Sequence, residues 1–518
     1  MGLRESTEIQ GNILAPFKKP NQVFLFVNFG NDQKAARAWL SDLAKRVATT
    51  QAVVDHTADY KAWREARDRQ LEAQKLEGQE PPPEKPQPEA EWIGVGLTSW
   101  GLVTLHPELA PDLVAFDAFW RGPLAEGTDE HGNRTAPPAI LGSEKQSDPG
   151  TWVVGGPNQP PVDAVVTIAA DDEKRLRDKV RKELELWKLA AGRELTMAEP
   201  RQPGGADLPG QWGATIRSKH GGIEHFGFKD GVSQPGVRGF TDEVVRDGRL
   251  ESQDMPGSPI IATGEFLLGY PGERGSYLRG RRPDPPEWMW DGSFQVFLRL
   301  TQDVAGWHKE MEELEGTLKE DVAAKVIGRR QDGRPLARRR SNGPNDFDYG
   351  GDLLGNDTPR FAHIRRLNPR NDAVYNDRSH RLLRRGIPFG PFANDREEAE
   401  AEQVDRGLLL NAFMASIDDQ FEVVMRSWAS NSNLLPVTSG RGWPENAITD
   451  GPDPLIGAST HPCVLRRQGQ APVPLHLRRF VWTSGAVYAF APSISTLIQL
   501  GENNPMRQDF PAAASERA

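Results

Sequence analysis

One cysteine in 518 residues is the first constraint on this chain. Cys463 by itself excludes an internal disulfide, a Cys-x-x-Cys redox pair, a cysteine-rich zinc site and the Cys-x-x-Cys-His attachment of a c-type haem. Long apolar runs are missing as well, and no stretch approaches the roughly 20 residues that span a bilayer, so no membrane partner is expected. The start, Met1-Gly2-Leu3-Arg4-Glu5-Ser6, has neither an apolar signal region nor a twin-arginine pair, which leads to the expectation of a cytoplasmic location. An excess of positive charge is absent: 63 Lys and Arg stand against 73 Asp and Glu, a net charge of −10. That balance argues against nucleic acid, whose phosphates select a basic surface. Several catalytic signatures are also missing. There is no Walker loop and no His-Glu-x-x-His helix. Gly94-Val95-Gly96 lacks the third glycine and the downstream acid of a dinucleotide fold. Gly231-Val232-Ser233-Gln234-Pro235-Gly236 has the wrong spacing for a nucleophile elbow.

What remains is a globular composition, with 37% hydrophobic and 26% charged residues. Val23 to Asn28 reads as a strand, and the helix that follows is capped by Asp32, with Ala36, Trp39, Leu40, Leu43 and Val47 on its buried face. Residues 60–91 begin as a charged helix-like run and end in Pro81-Pro82-Pro83, a pattern expected of a surface insertion, part of it without fixed structure. Trp92 to Leu97 is a buried strand, with Thr98 or Ser99 capping a short helix. Ala164 to Ala169 is another strand, before a charged helix over 171–189 striped by Leu176, Val180, Leu184 and Trp187. The pattern then recurs. Ser293 to Leu300 is a strand followed by a helix capped by Asp303, and Leu408 to Met414 is a strand followed by a helix over 418–428. Two strand–helix pairs in each half predict a duplicated α+β unit with antiparallel sheets. Arg329 to Arg340 reads as an exposed basic loop, and residues 480–490 as a closing hairpin around Gly485.

Two stretches can carry chemistry. In Phe226-Gly227-Phe228-Lys229-Asp230-Gly231 an aspartate sits between glycines that permit a tight path and close approach of a flat ligand. Alone, Gly-x-x-Asp-Gly is more often a turn. In Phe361-Ala362-His363-Ile364-Arg365-Arg366 a histidine lies in a basic run, alone more often structural than a ligand. The second stretch continues to Arg384-Arg385-Gly386-Ile387-Pro388-Phe389-Gly390.

Taken together, these motifs resemble the dye-decolourising peroxidases, which are haem b enzymes. Further segments in the same order are similar to that family: Ile9-Gln10-Gly11-Asn12-Ile13-Leu14, Gly264-Glu265-Phe266-Leu267-Leu268-Gly269-Tyr270, Arg406-Gly407-Leu408-Leu409, Ala415-Ser416-Ile417-Asp418-Asp419-Gln420-Phe421-Glu422 and Phe490-Ala491-Pro492-Ser493. The resemblance implies two ferredoxin-like halves of the dimeric α+β barrel type. Residues 1–245 would carry the Gly-x-x-Asp-Gly motif and residues 246–518 would hold the haem. It also implies that His363 is the proximal iron ligand, that Asp230 is the acid–base residue on the opposite face, and that Arg384 is the distal arginine. Because neighbours in a helix or strand point differently, one of Arg384 and Arg385 faces the haem, and Arg384 fits the spacing. Gly231, Arg365 and Leu410 are expected cofactor contacts, with Arg366 and Arg370 as further propionate or surface candidates. Leu410 stands where the family pattern leads one to expect an aromatic. The second ring nitrogen of His363 needs an acceptor; Asp419 is the candidate, with Asp418 beside it. Tyr375 is a candidate relay to bulky donors. The implied activity is reduction of hydrogen peroxide with one-electron oxidation of dyes, phenolics or other aromatics. The rival readings are a haem-handling, deferrochelatase-like protein on the same fold, and a non-catalytic binding module in which Asp230 is a turn residue.

Overall fold

The computed structural model describes residues 2–77, 87–124, 127–128, 134–135, 140–142, 147–192, 196–197, 208–273, 282–339, 343–370, 377–402, 404–432, 451–457 and 462–506. The first half is built on strand β1 (Asn21–Asn28), helix α1 (Gln33–Ala44), helix α2 (Thr50–Glu77), β2 (Glu91–Leu97), β3 (Ala164–Ala170), α3 (Glu173–Ala191) and β4 (Gln211–Ala214). The second half is built on β5 (Ser293–Gln302), α4 (Val304–Leu318), the short helix α5 (His363–Leu367), β6 (Leu383–Arg384), β7 (Ile387–Phe389), β8 (Gly407–Met414), a wide π-type helix over 417–429 and β9 (Val481–Ala491). Side-chain oxygens close the helix starts as the sequence predicts. Asp32, Thr98 and Asp303 each accept a backbone N–H from the first turn, and Asp172 does so for α3; such caps contribute about 1 kcal/mol each.

The duplication is visible in strand order. In the first half β4 pairs β1, β1 pairs β3 and β3 pairs β2; in the second β9 pairs β5, β5 pairs β8 and β8 pairs β6 and β7. Counting strands within each half, with β6 and β7 taken as one interrupted strand, both run 4-1-3-2 and all these pairings are antiparallel. This is the ferredoxin-like order, used twice. The two sheets are continuous through the single pair Leu97↔Phe490 and do not close into a barrel among the described residues. Their inner faces meet at Phe24, Phe26 and Phe297, with ring centroids 5.0 Å apart in each pair. The outer faces carry helices. Trp39 of α1 and Trp187 of α3 meet edge to face at 4.8 Å over β1 and β3, a contact that adds about 1 kcal/mol beyond the area it buries.

Three sequence expectations are corrected here. The charged run expected to start at Tyr60 is the second part of α2, one helix from Thr50 to Glu77; residues 78–86 of the expected insertion lie outside the described residues. Residues 480–490 form no hairpin. Residues 481–490 lie in the continuous strand β9, whose register shifts opposite Arg299 and Leu300. Gly485 serves a close approach instead of a turn: a Cβ there would lie 2.5 Å from Val154 Cγ1, in the segment that bridges onto it. The basic segment from Arg329 is only partly solvated. Arg329 itself is buried, donating to the carbonyls of Gly333 and Pro344 and to Asn345 Oδ1. Its charge is accommodated by fixed acceptors that a charge count does not show.

Candidate active site

Asp230 lies at the end of a short looped segment. Glu224 and Phe228 close a turn through Glu224 N–H to Phe228 C=O (3.0 Å) and Gly227 N–H to Glu224 C=O (3.0 Å). Gly227 makes this turn with φ of +89°, a conformation open to glycine and costly to other residues. Phe226 stacks on Trp307 of α4 at 4.5 Å and Phe228 meets the same ring edge-on at 6.5 Å. These aromatic anchors are buried, while Lys229, Asp230 and Gly231 are exposed. Gly231 adopts φ of +66° and donates its N–H to Asp230 Oδ1 at 2.6 Å.

The chain then docks on β6. The side-chain amide of Gln234 pairs with the backbone of Arg384, donating to its C=O at 3.0 Å and accepting from its N–H at 3.3 Å. The Arg384 guanidinium donates to the Ser233 carbonyl. Burial lowers the Arg384 pKa, and the nearby Asp230 carboxylate acts in the opposite sense; at neutral pH the guanidinium stays charged. Asp230 Oδ2 lies 3.8 Å from the position a Cβ would take on Gly386. Arg384 pairs with Ala412 and Ile387 with Leu409, so the same register sets Gly386 opposite Leu410. Alternation along the strands then puts Arg384, Gly386, Leu410 and Ala412 on one face. Leu298 of β5, paired with Leu410, shares it. Arg385 points the other way and donates to the carbonyls of Asn12, Ile13 and Leu14. Of the two neighbouring arginines, Arg384 is the one on the strand face that Asp230 approaches.

His363 opens α5. Its Nδ1 lies 2.7 Å from Oδ2 of Asp453, whose side chain is fully buried. The other carboxylate oxygen of Asp453 accepts the backbone N–H groups of Leu455 (2.9 Å) and Ile456 (3.4 Å). With its remaining acceptor committed to the backbone, Asp453 can only receive a proton from Nδ1. This fixes the tautomer and leaves the lone pair on Nε2. Nε2 has no hydrogen-bond partner among the described residues. Arg366, on the same short helix, donates to the carbonyls of Asn431 and Gly451 and so clamps the Asp453 segment to α5. The acceptor expected for His363 was Asp419 or Asp418, and the structure corrects this. Asp419 pairs with Arg282 at 3.0 Å, and Asp418 accepts the Ala118 N–H at 3.1 Å.

Arg365 is also placed differently from the expectation of a cofactor contact. It is buried, donates to the Thr358 carbonyl at 2.7 Å and lies over the Tyr349 ring at 4.5 Å. Its first role is to hold the segment beneath α5. Arg370 lies over the Phe347 ring at 3.9 Å and donates to Asn345 and Phe347 carbonyls. Tyr375 lies outside the described residues. One apolar cluster joins the elements of the site: it contains Phe226 and Phe228 before Asp230, Phe361 before His363, and Leu455 after Asp453.

These residues fit a haem. Among the described residues no three His, Cys, Asp or Glu side chains converge as a metal site, and a metal on His363 would need further donors. A porphyrin supplies four. The imidazole has a free, basic Nε2, and an apolar strand face bare of a side chain at Gly386 carries a carboxylate and a guanidinium.

Known proteins similar to this chain are dye-decolorizing or dye peroxidases. A family model described as "Dyp-type peroxidase, C-terminal" matches residues 278–438. A dye-decolorizing peroxidase of Mycena epipterygia is 30% identical over 331 residues, covering 55% of this chain and 58% of that protein. The multifunctional dye peroxidase DyP2 of an Amycolatopsis strain is 28% identical over 523 residues, covering 95% of each. This chain therefore spans a little over half of the first relative and nearly all of the second. Among solved structures, a dye-decolorizing peroxidase of Auricularia auricula-judae matches with a TM-score of 0.70 at 22% identity, over 96% of this chain and 99% of that one. An ancestral D-type dye-decolorizing peroxidase matches with a TM-score of 0.69 at 24% identity, over 95% and 98%. Over residues 278–438 the chain matches the C-terminal model of the dye-decolourising peroxidases, and along most of its length it is similar to proteins of that family in sequence and fold.

Proposed function

We propose that this protein is a hydrogen-peroxide-dependent haem b peroxidase that oxidises dyes, phenolics or other aromatic donors in one-electron steps. The observation that supports it best is the meeting of Asp230, from the first half, with Arg384, from the second, over the bare strand position Gly386. In this reading residues 246–518 would hold the haem, and residues 1–245 would supply Asp230. Haem bound there supplies the two-electron reduction of peroxide and the one-electron oxidations that follow.

The protein's own part is positioning, charge and proton transfer. His363 would hold the haem iron through Nε2, and Asp453, which faces Nδ1, would make the imidazole a stronger electron donor. Asp230 accepts the proton that peroxide loses from one oxygen and returns it to the other, a transfer worth about 10²–10⁴ in rate. Arg384 keeps its charge throughout and offsets the negative charge that develops on the departing oxygen. Gly231 and Gly386 leave room for the plane of the ligand. Leu410, where the family pattern carries an aromatic, gives that face an aliphatic wall that governs access to it.

A haem-handling role is not favoured, because a carrier has no use for paired proton-transfer and charge-stabilising groups. The test is peroxide-dependent oxidation of a phenolic donor by the full chain loaded with haem. The activity is expected to fall by about 10²-fold or more in Asp230→Asn and in Arg384→Leu. Wild-type turnover in both variants would overturn the assignment.

A further inference from the structure

The Asp230 loop hangs on a second carboxylate. Glu224 accepts the backbone N–H of Phe226 on Oε2 (2.8 Å) and that of Phe228 on Oε1 (3.0 Å), so its side chain staples both limbs of the Gly227 turn. A third donor comes from the sheet: Gln302 Nε2 of β5 reaches Oε2 at 2.9 Å. Gln302 is itself fixed through its N–H to the Arg406 carbonyl, just before β8, at 2.9 Å. Among the described residues, each of the three hydrogen-bond partners of the Glu224 side chain is a donor, which is the environment of an ionised acceptor. From Phe228 the chain passes through Lys229, whose N–H is held by the Gln331 carbonyl at 3.0 Å, to Asp230. Burial favours the protonated form of Glu224 and pushes its pKa up to about 7; the three donors oppose that shift, and the charge of Asp230 adds to it. The staple and the acid–base group are therefore close enough to sense each other's charge.

We propose that Glu224 is a positioning residue for Asp230: its carboxylate, tied to β5 through Gln302, fixes the turn whose far end sets the Asp230 carboxylate over Gly386. This rests on the peroxidase reading above. Burying a carboxylate beside a second acid costs stability, and Phe226 and Phe228 packed on Trp307 already hold the segment in the fold. What the carboxylate adds is registry of the few residues beyond the aromatic anchors. A glutamine at 224 has one oxygen for two backbone donors, so one limb of the turn is released while the anchors remain.

Two measurements on the full-length protein test this. Hydrogen exchange of peptides covering residues 224–231 is expected to speed up by about tenfold or more in Glu224→Gln, with exchange elsewhere unchanged. The rate of reaction of the haem-loaded protein with peroxide is expected to fall by about 10- to 100-fold, the usual effect of a displacement near 1 Å, with haem affinity retained. In the Asp230→Asn background the same change is expected to add little, because a residue that acts through Asp230 has nothing left to position. Gln302→Leu, which removes one donor and leaves the turn bonds in place, is expected to give a smaller effect of the same sign. Unchanged exchange and peroxide rate in Glu224→Gln would overturn the inference. So would a rate loss that persists undiminished with Asp230→Asn, since the role would then be general stability. If Asp230→Asn alone loses no rate, the failure belongs to the peroxidase assignment of Asp230, and the exchange result still judges the staple.

Discussion

Asp453 offers a sharp perturbation, because its two oxygens have different tasks. Oδ2 faces His363 Nδ1 at 2.7 Å, and Oδ1 faces the N–H groups of Leu455 and Ile456. Asp453→Asn keeps the shape and has a single oxygen for these two acceptor positions. If the oxygen stays with the backbone, an NH₂ group faces the Nδ1 proton. If it turns to His363, the NH₂ group faces two backbone donors. Either way a buried site loses a charge-assisted bond and gains a donor–donor contact. Loss of such a partner lowers metal affinity by about 10- to 100-fold, or about 1.4–2.8 kcal/mol. The assay is titration of the haem-free protein with haem, followed by absorbance. Weaker binding in Asp453→Asn is expected, with His363→Ala weaker still. Asp419→Asn, which changes the partner of Arg282 instead, is expected to bind as the wild type does. Unaltered affinity in Asp453→Asn alongside loss in His363→Ala would refute the claim that Asp453 sets the histidine's basicity.

Arg385→Leu is expected to leave the peroxide reaction near wild type and to destabilise the protein by about 2–4 kcal/mol, because the carbonyls of Asn12, Ile13 and Leu14 lose their donor; chemical denaturation measures it. Stability is also expected to fall between pH 5 and 8. Burial raises the pKa of Glu422 to about 7 and of Asp418 to about 6, in each case with a neighbouring acid adding to the shift. The folded state therefore holds protons that the unfolded chain releases at lower pH. This stabilisation is complete below the ordinary carboxyl range and is lost as pH rises through the raised values. Glu422→Gln, which still accepts the Tyr488 hydroxyl, is expected to flatten that dependence of the melting temperature; an unchanged slope would show that the acid is not buried in this way. Gly485→Ala is expected to lower the melting temperature, since its Cβ would meet Val154 Cγ1 at 2.5 Å.

Much of the fold was legible because local rules and tertiary packing agree. The alternation and length of β1, β3, β5 and β8 match strands, and the acids before the helices are the caps that the structure uses. The duplication could be seen as recurring strand–helix pairs, although strand order is set by long-range pairing that no local pattern contains. At the site, the motifs pointed to Asp230, His363 and Arg384 as candidates. They did not give Asp453, which stands 90 residues after its histidine between two prolines. Nothing local distinguishes it from Asp419, and the choice depends on which acid is left without another cation. Arg329 misled for a related reason: an arginine in a basic run looks solvated until its carbonyl acceptors and aromatic face are seen. Gly485 looked like a turn because the need for glycine came from the approach of a distant backbone segment.

The central claim is that the faces defined by His363 and by Asp230 with Arg384 act on one haem to reduce peroxide. Its most direct test is rapid mixing of the haem-loaded protein with one equivalent of hydrogen peroxide, followed through the Soret band. A fast change in the band is expected, slowed by about 10²-fold or more in Asp230→Asn and in Arg384→Leu, and reversed by an aromatic donor. A protein that binds no haem through His363, or whose Soret band is indifferent to peroxide, would contradict the account.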